Sequence, residues 1–557
     1  MPHTGELRIL PVGGLGEVGK NMMLFSYDDE GLIVDAGIMF PENDMLGIDY
    51  IIPDYTYIVD QMAQGLKIHG IVITHGHEDH TGAIGHVLEF IKAPVYATRL
   101  TAGLLEVKMR QAGFGDHPLH VFKAGDALQL GPYVVEPFHV CHSIPDSVGL
   151  GITTPVGLVV HSSDFKFDHT PVDGWPPDFA KLAEFSKRGV LALLADSTNA
   201  DRDGWTPSET VIDEAFEEVF GRATGRIIVA TFASHISRTQ QVARAAQRHG
   251  RKMAIAGHSM ADYIKVATKL GYLNLPKDLV VPVDKANTMP PEQVVIMATG
   301  SQGEPSAVLG RLAWGQHRLL EIERGDTVVM SAHPIPGNEE LVHRTINKLI
   351  QRGANVIYDP VAQVHVSGHA RREELKLLIN LIRPKFFVPV HGELRHLTQH
   401  SLLAQGLGIP AENIAVVENG MQVLLTPDRL EIGERVPGGY VFVDGKGVGD
   451  VGPVVMRDRE VLSSDGFVSV LVLVNAETGE LVEPPEFISR GFVYLREASE
   501  LIEMAQDVIA EVVRTHPSGN LTSSIQDALA KLFYNETQRR PMTFAFVREV
   551  HGEPVPR

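Results

Sequence analysis

The sequence predicts an α/β protein in which a parallel α/β domain is inserted into a strand-rich first domain, with a small α+β domain after both. Up to about residue 205, short apolar segments are interrupted by Gly, Asp and His. From 206 to 355, strand-length and helix-length segments alternate, as in a parallel sheet. A strand at 385–390 resembles the first region again. We therefore predict a first domain at 1–205, an inserted domain at 206–355, a return segment at 356–432, a linker at 433–454 and a C-terminal domain at 455–557.

The first domain is expected to combine many antiparallel strands with a few helices. Apolar runs bounded by Gly, Asp or His predict strands at 7–11, 22–27, 31–34, 68–74, 95–97, 133–139 and 157–162. Apolar residues at helical spacing predict helices at 82–91 and 101–112.

The inserted and C-terminal domains are predicted from the same two periodicities. In the insertion, helices at 208–217, 238–248 and 260–271 alternate with strands at 226–231 and 252–257, and the alternation continues through 294–298, 327–331 and 337–352. Seven glycines between 433 and 452 favour a linker or loose ribbon over regular structure. The C-terminal domain is predicted to contain strands at 468–474, 491–493 and 543–547 and helices at 497–515 and 523–533.

Composition excludes several classes of protein. With 44% hydrophobic and 21% charged residues, the chain can build packed cores, and its longest apolar runs are far shorter than a membrane span. Residues 1–6 lack the pattern of a secretion signal, and one cysteine permits no intrachain disulfide, so we expect a cytoplasmic protein without a membrane partner. A net charge of −20 gives no bulk attraction to nucleic acid. A polyanionic partner would need metals or a local arginine-lined groove.

Two motif matches have simpler explanations than the functions they suggest. Residues 14–19 match a dinucleotide-binding pattern, with Asp35 near the expected ribose-binding distance, but a strand follows where that fold needs a helix. We interpret them as a glycine-rich tight turn. Residues 257–261 resemble the nucleophile elbow of hydrolases. We favour a simpler role for Ser259, as the cap of a helix at 260–270.

The segment Thr-His-Gly-His-Glu-Asp-His at 74–80 is the strongest indication of chemistry in the sequence. The chain has 25 histidines, and neutral imidazole is the commonest metal ligand. His75 and His77 follow a predicted strand, where side chains two residues apart point the same way, so both can hold one ion. Asp79 and His80 come at the turn into the next helix and can face a neighbouring ion.

Three further ligand candidates lie at strand ends: His142, Asp164 and His391. Two neighbouring ions need a carboxylate between them, and Asp164 fits that role. Imidazole and carboxylate donors without thiolate suit Zn²⁺ or Mn²⁺. Cys141 adjoins His142 but is expected to point to the opposite strand face and to serve packing.

Taken together, these residues resemble the metallo-β-lactamase superfamily of dinuclear hydrolases, and more closely its nucleic-acid-processing β-CASP group. Asp35, within Ile-Val-Asp-Ala-Gly, matches the superfamily's first motif, and Asp196, His369 and His391 match motifs of the β-CASP group. The stretches at 40–42, 46–49, 299–305 and 335–339 look like the bacterial ribonuclease J family. The resemblance covers nearly the whole chain. It implies an αββα sandwich with an inserted β-CASP domain and a small C-terminal α+β domain.

The resemblance also implies a metal-dependent ribonuclease with two divalent ions per subunit, Zn²⁺ or Mn²⁺. One ion would be held by His75, His77 and His142 and the other by Asp79, His80 and His391, with Asp164 bridging. Two such ions activate a water and clamp phosphate oxygens. The leaving ribose 3′-oxygen needs a proton, for which His369 is the candidate acid and Asp196 its partner. Asp35 would orient a ligand or water, and the catalytic set is therefore Asp79, His369, Asp196 and Asp35.

The implied substrate is single-stranded RNA with a 5′-monophosphate. In the resembled family a glycine turn holds this phosphate with help from a second segment, which corresponds here to Ser367, Gly368, His369 and Ala370 together with Ser234, His235 and His365. Such a pocket implies 5′→3′ exonuclease activity with some endonuclease activity, in RNA maturation and decay. The alternatives are a DNA-directed nuclease, a small-molecule dinuclear hydrolase and a non-catalytic RNA-binding scaffold. The α/β insertion argues against a small substrate, and the complete ligand set argues against a scaffold.

Four expectations concern partners and other parts of the chain. The C-terminal domain is expected to form a homodimer, and an RNA-decay protein such as a helicase is a candidate partner. Asp49 and Asp444 are candidate ligands of a structural Ca²⁺. The basic residues of the insertion either line an RNA groove or form a solvated face; they are Arg222, Arg226, Arg238, Arg244, Arg248, Arg251 and Lys252.

Overall fold

The computed structural model describes residues 5–42, 44–335, 337–493, 498–515 and 520–551. By internal contacts the chain divides into two compact units, residues 1–42 with 50–441 and residues 43–49 with 442–557. Residues 1–4, part of the segment that predicted no secretion signal, and Glu497, the predicted start of a helix, lie outside the described residues.

The strands up to residue 435 are β1 Leu7–Gly13, β2 Leu15–Gly16, β3 Met22–Tyr27, β4 Glu30–Val34, β5 Tyr50–Pro53, β6 Lys67–Ile73, β7 Val95–Thr98, β8 Leu119–Phe122, β9 Leu128–Leu130, β10 Tyr133–His139, β11 Val148–Thr154, β12 Gly157–His161, β13 Val190–Asp196, β14 Ile227–Ala230, β15 Lys252–Ala256, β16 Val294–Ala298, β17 Thr327–Met330, β18 Asn355–Ile357, β19 Phe386–Val390, β20 Gly392–Glu393, β21 Met421–Leu425 and β22 Leu430–Arg435. The helices of this part are α1 Thr56–Ala63, α2 Glu78–Thr81, α3 Ile84–Phe90, α4 Arg99–Gln111, α5 Phe179–Arg188, α6 Val211–Arg222, α7 Ile236–Arg248, α8 His258–Leu270, α9 Val283–Ala286, α10 Val308–Trp314, α11 Glu339–Gln351, α12 Arg372–Ile382 and α13 Leu394–Gly406.

Two facing sheets form the first domain. One has the order β22-β21-β1-β3-β4-β6-β7-β8 and the other β19-β13-β12-β11-β10-β9. Their inner faces share one core, which includes Phe25, Tyr133, Leu150 and Phe386. Helix α4 packs on β7 and β8, while α12 and α13 pack on β13 and β19. This arrangement is the predicted αββα sandwich.

The insertion is a five-stranded parallel sheet of order β15-β16-β14-β17-β18 with a hydrophobic core on each face. Both faces are covered, which explains why its strands read as continuous apolar runs. The chain then returns to the sandwich through β19, which pairs in parallel with β13. In that register Asp196 lies opposite Val390, so the ends of the two strands bring Asp196 and His391 together.

The second unit contains β24 Gly447–Val448, helices α14 Pro453–Ser464, α15 Ser499–Thr515 and α16 Leu521–Thr537, and strands β25 Phe467–Asn475, β26 Glu486–Arg490 and β27 Met542–Val550, while β23 Tyr440–Asp444 leads into it. The sheet β26-β25-β27 buries one face against α15 and α16. Two predictions need correction. The glycine-rich interval contains a pair of short strands, β23 and β24, and the strand expected at 491–493 lies instead at 486–490.

Of the two interpretations of motif matches, the one for residues 14–19 agrees with the structure and the one for Ser259 does not. Residues 14–19 are followed by β3, so the dinucleotide interpretation is excluded. At the elbow-like motif, helix α8 begins at His258 with Gly257 as its N-cap, and exposed Ser259 lies in the first turn. Ser259 is therefore not the cap, contrary to our interpretation.

In the part of the chain that the structure describes, no helix combines the length and apolar character needed to cross a membrane.

Candidate metal centre

The motif at 74–80 lies at the carboxyl end of β6. The strand ends at Ile73, and α2 begins at Glu78, so His75 and His77 stand on an extended bridge between them. His75 is fully buried. A Cβ at Gly76 would come 2.7 Å from Cδ1 of Leu104, which explains why glycine separates the two histidines.

The first candidate ligand group is His75, His77 and His142. Nδ1 of His142 donates to the Gly368 carbonyl at 2.8 Å, so Nε2 of His142 carries a lone pair. That Nε2 lies 3.1 Å from Nδ1 of His77, which in turn lies 3.2 Å from Nε2 of His75. Nδ1 of His75 contacts the Thr74 hydroxyl, so its Nε2 also faces the group. Three imidazole nitrogens converge, as they do around a cation.

The second group is Asp79, His80, Asp164 and His391. Nε2 of His80 lies 3.5 Å from Asp79 and 3.3 Å from Oδ2 of Asp164. Nε2 of His391 lies 3.5 Å from Asp79 and has no hydrogen-bond partner although it is buried. Oδ2 of Asp164 also lies 3.8 Å from Nε2 of both His75 and His142. Asp164 therefore lies between the two candidate ligand groups, within 4 Å of ring nitrogens of both.

Asp35 fixes the orientation of this second group from behind. Its Oδ2 accepts a hydrogen bond from Nδ1 of His80 at 2.7 Å, which leaves Nε2 of His80 facing Asp79 and Asp164. Its Oδ1 accepts from the backbone N–H of Thr74 at 2.8 Å. Such a carboxylate–histidine contact sets the tautomer and ring orientation of a metal ligand. Asn21 adds a contact, since its amide lies 3.1 Å from Nε2 of His80.

The two candidate ligand groups differ in the direction in which their surroundings shift the pKa values of their histidines. Burial and the neighbouring imidazoles lower the pKa of His77 to about 3, and burial lowers that of His142 to about 4. These rings are therefore neutral, the state that binds metal. In the second group, burial opposes protonation, but the nearby carboxylates of Asp164, Asp196 and Asp79 raise the pKa of His391 to about 10. A site that stabilises positive charge among carboxylates, with an orphaned ring nitrogen, fits a divalent cation.

His369 and Asp196 form a pair beside the two groups. Nδ1 of His369 lies 2.8 Å from Oδ2 of Asp196, while Oδ1 of Asp196 accepts from the Thr198 backbone N–H at 2.9 Å and hydroxyl at 2.7 Å. Burial disfavours the imidazolium, but Asp196 dominates and raises the pKa of His369. The His369 ring lies 5.1 Å from that of His142 and 5.4 Å from that of His391.

The predicted phosphate-binding residues fall into two places. Ser367, Gly368, His369 and Ala370 form the turn that holds His142, and the Ser367 hydroxyl accepts from the His369 N–H at 3.2 Å. His235 and His365 form a second group, with ring centroids 6.2 Å apart. Both nitrogens of His235 and Nδ1 of His365 are buried without hydrogen-bond partners. Ser234, also buried, immediately precedes His235.

The basic residues of the insertion do not form one solvent-facing groove. Arg238 is fully buried against Glu209, Arg226 pairs with Asp326 in the interior, and Arg251 donates to backbone carbonyls of 223, 225 and 294. The exposed members include Arg222, Arg244 and Arg248, and Lys252 is half-buried beside Asp278. The groove hypothesis is wrong for Arg226, Arg238 and Arg251, because their side chains are buried and bonded inside the domain.

The calcium candidates have protein partners. Asp49 accepts a hydrogen bond from the Gly445 N–H at 2.8 Å, and Asp444 pairs with Arg459. Cys141 is buried, and burial raises the pKa of its thiol to about 12, which suits a packing role.

Sequence reasoning missed several residues that hold the site. They include Asn21, Thr74, Thr198, Asn199, Thr206 and Glu374. Their side chains are common in turns and caps, so no local pattern marks them. Glu374 alone carries a signal, since glutamate at the third position of a helix is typical of a capping box.

Fold and site together define a metallohydrolase of the metallo-β-lactamase superfamily with a β-CASP insertion and two neighbouring candidate ligand groups. Family models agree. Residues 15–203 match the metallo-beta-lactamase superfamily, 224–349 the ribonuclease J beta-CASP domain, 353–414 the Zn-dependent metallo-hydrolase RNA specificity domain, and 454–550 the ribonuclease J C-terminal domain. The chain belongs to the ribonuclease J family, and its enzyme class is that of a metal-dependent RNA hydrolase.

Similar proteins span nearly the full chain. It is 40% identical over 555 residues to ribonuclease J2 of Bacillus subtilis, covering 98% of this chain and 99% of that protein. It is 44% identical to ribonuclease J of Synechocystis, covering 99% and 86%, and 42% identical to ribonuclease J of Thermus thermophilus, covering 98% and 95%. A crystal structure of an Enterococcus faecalis protein of unknown function shares the fold, with a TM-score of 0.52 at 15% identity, covering 75% of this chain and all of that chain.

Proposed function

We propose that this chain is a 5′→3′ exonuclease acting on single-stranded RNA with a 5′-monophosphate, with some endonuclease activity, in RNA maturation and decay. The observation that carries the proposal is the pair of ligand groups that meet at Asp164 with the His369–Asp196 pair beside them. The RNA substrate also follows from the names of the relatives and of the matched RNA specificity domain.

Two divalent ions, Zn²⁺ or Mn²⁺, would be held by His75, His77 and His142 and by Asp79, His80 and His391, with Asp164 shared between them. When bound, the two ions supply an activated water and neutralise phosphate oxygens at neutral pH. The protein's part is to aim the ligands: Asp35 orients His80, and the Gly368 carbonyl orients His142.

His369 is the proposed general acid for the leaving 3′-oxygen. Because its Nδ1 faces Asp196, Nε2 remains to deliver the proton, and the Asp196 carboxylate stabilises the protonated ring. The His369 side chain is 20% exposed, so a substrate oxygen can reach it. Asp196 in turn is fixed by Thr198.

The terminal phosphate is proposed to bind between the turn of Ser367, Gly368 and Ala370 and the second segment with Ser234, His235 and His365. Backbone N–H groups at a glycine turn approach anions closely. The buried, unpartnered ring nitrogens of His235 and His365 offer further donors. A pocket one nucleotide from the metals accounts for removal of single nucleotides from the 5′ end.

A second copy of the chain is the proposed partner of the C-terminal sheet. The face of β25, β26 and β27 away from the helices exposes Leu471, Ile488, Phe544 and Phe546, and β-sheet register places Leu471 opposite Phe546. Exposed apolar groups on neighbouring strands mark association sites. Phe546→Glu should convert a dimer to a monomer in light scattering, while Met504→Glu, on exposed helix surface, should not. A monomeric unmodified protein at micromolar concentration would defeat this assignment.

The proposal has four further parts: the cellular location, a protein partner, the domain limits and a calcium site. We propose a cytoplasmic location, an RNA-decay partner such as a helicase, the domain limits predicted from the sequence, and a calcium site at Asp49 and Asp444. Metal analysis of purified protein tests the last, and absence of calcium would reject it.

The decisive assay uses one uniformly labelled single-stranded RNA with a 5′-monophosphate or a 5′-triphosphate, with Mn²⁺ or with chelator. We expect chelator-sensitive release of mononucleotides, faster from the monophosphate. Equal rates on both ends would reject the terminal pocket. No cleavage of RNA under any metal would reject the ribonuclease proposal, and single-stranded DNA and small esters would then be tested as substrates of the alternative hydrolases.

A further inference from the structure

Glu374 is a fully buried carboxylate in the first turn of α12. Its Oε1 accepts a hydrogen bond from the Phe167 N–H at 2.8 Å, and its Oε2 accepts from the N–H groups of Thr206 at 2.7 Å and Arg371 at 2.9 Å. Among the described residues, no lysine or arginine pairs with it. A buried carboxylate is costly unless hydrogen-bonded, and here three backbone donors from three segments satisfy it.

Each of the three segments leads to the candidate site. Phe167 follows Asp164 by three residues. The Thr206 hydroxyl donates to the His369 carbonyl at 2.7 Å, and Arg371 follows His369 by two residues. Glu374 therefore holds the His369 turn from both sides and ties it to the segment that carries Asp164.

We propose that Glu374 is a positioning residue that sets His369 at the distance from Asp164 needed for proton delivery to the leaving oxygen. The inference rests on the proposed role of His369 as the general acid. Glu374 touches neither substrate nor metal and acts only through the backbone of the three segments.

A capping role alone does not explain this arrangement. A capping box needs only the local contact with Arg371. The bonds to Phe167 and Thr206 span 207 and 168 residues, and they join the sandwich, the entry to the insertion and the return segment. The contacts that orient metal ligands, Asp35 with His80 and Gly368 with His142, do not involve Glu374. Its loss should therefore displace the acid more than the metals.

The test compares two leaving groups. Hydrolysis of RNA expels a ribose oxygen, which needs protonation, whereas the p-nitrophenyl ester of uridine 5′-phosphate expels nitrophenolate, which does not. Glu374→Gln keeps the shape but replaces one acceptor oxygen by a donor. The control is Glu373→Gln on the same turn, whose half-exposed side chain pairs with Lys376.

For Glu374→Gln we expect kcat on 5′-monophosphorylated RNA to fall about tenfold to a hundredfold, since small misplacements of a catalytic group have effects of this size. KM and bound metal should stay as in the unmodified protein, and kcat on the nitrophenyl ester should change less than about threefold. Thr206→Val removes only the hydroxyl that donates to the His369 carbonyl. It should show the same selective loss of kcat on RNA, to a smaller degree, and it replaces Glu374→Gln in the test if that variant does not fold.

The outcomes separate the two proposals when His369→Ala is assayed in parallel. Selective loss on RNA in His369→Ala and in Glu374→Gln supports the inference. Selective loss in His369→Ala alone overturns the positioning role of Glu374. Equal losses on both substrates in Glu374→Gln, or loss of its metal, also overturn it. If His369→Ala shows no selectivity, the acid role fails, and the inference falls with it.

Discussion

Replacing Arg238 should destabilise the inserted domain without changing how RNA affinity responds to salt. Arg238 lies on α7 with no exposed surface. Its guanidinium donates to Glu209 at 2.7 Å, to the Val364 carbonyl at 2.7 Å and to Gln241 at 2.9 Å, and it also contacts the Ser331 hydroxyl. A buried arginine releases no counterions when RNA binds.

The magnitude follows from what Arg238→Gln leaves behind. Although burial would raise it, Lys166 and Arg238 hold the pKa of Glu209 well below its usual range. Without Arg238, the nearest cation to Glu209 is Lys166 at 3.5 Å. Breaking a buried ion pair by removing one partner costs about 3–5 kcal/mol. Exposed Arg244 on the same helix is the matched control, and Arg244→Gln should stay within about 0.5 kcal/mol.

The assay has two parts: unfolding temperature at a fixed heating rate, and the slope of log RNA affinity against log salt in chelator, which prevents cleavage. We expect a lower unfolding temperature and an unchanged slope for Arg238→Gln. Glu209→Gln with Arg238→Gln should lose less than the sum of the single variants, because both charges of the Arg238–Glu209 ion pair are then removed together. A stable Arg238→Gln protein whose slope falls by about one would refute this reasoning and restore the groove role.

Three further predictions follow from particular contacts. Gly368→Ala would place a Cβ 2.6 Å from Cε1 of His142. We therefore expect metal analysis to show weaker metal binding and kcat to fall at least about tenfold. The control is Gly406→Ala, whose Cβ would have no atom within 4 Å and which should change neither metal binding nor kcat. His142→Ala and His391→Ala should each lower bound metal by about one equivalent, while His120→Ala on the exposed surface should not; unchanged metal in the first two would contradict the ligand assignment. Burial lowers the pKa of His400 from 6.5 in the unfolded chain to about 3 in the folded protein. Between these two values the unfolded chain binds one more proton than the folded protein. The contribution of His400 to the free energy of unfolding is therefore fully present above pH 6.5 and falls by up to about 1.4 kcal/mol per pH unit below pH 6.5. His400→Asn should narrow the difference in unfolding temperature between pH 7.5 and 5.5, and an unchanged difference would exclude His400 as its source.

The sequence predicted those parts of the candidate site whose residues are neighbours along the chain. His75 and His77 could be placed on one ion because an extended segment fixes the direction of alternate side chains. Asp164 and His142 are not local to that motif, and only their strand-end positions and the family resemblance connected them to it. The structure brings them together because β10, β12 and β13 lie in one sheet whose ends converge on β6.

Charge patterns could not be interpreted without the fold. Arg226, Arg238 and Arg251 form part of a basic stretch, yet each is buried, and their most distant partners lie 100, 126 and 43 residues away, respectively. Glu374 looks like an ordinary helix cap, and its bonds to Phe167 and Thr206 follow only from tertiary structure. The glycine-rich interval contains strands because Gly445, with a φ of 59°, allows a tight turn between β23 and β24.

Three residues at or beside the candidate ligands have strained backbone conformations, and contacts from other segments of the chain are needed to hold them. Asp35, Ser163 and His391 are buried and adopt left-handed φ values of 64°, 56° and 52°. Each such residue costs on the order of 1–3 kcal/mol, and surrounding contacts must offset that cost. They do so at each position: Asp35 accepts from Thr74 and His80, the Ser163 N–H donates to Nδ1 of His161, and the His391 carbonyl accepts from the Ser197 N–H. Because these contacts come from the protein itself, the ligand directions are set by the fold, and the ions would bind to a geometry already in place.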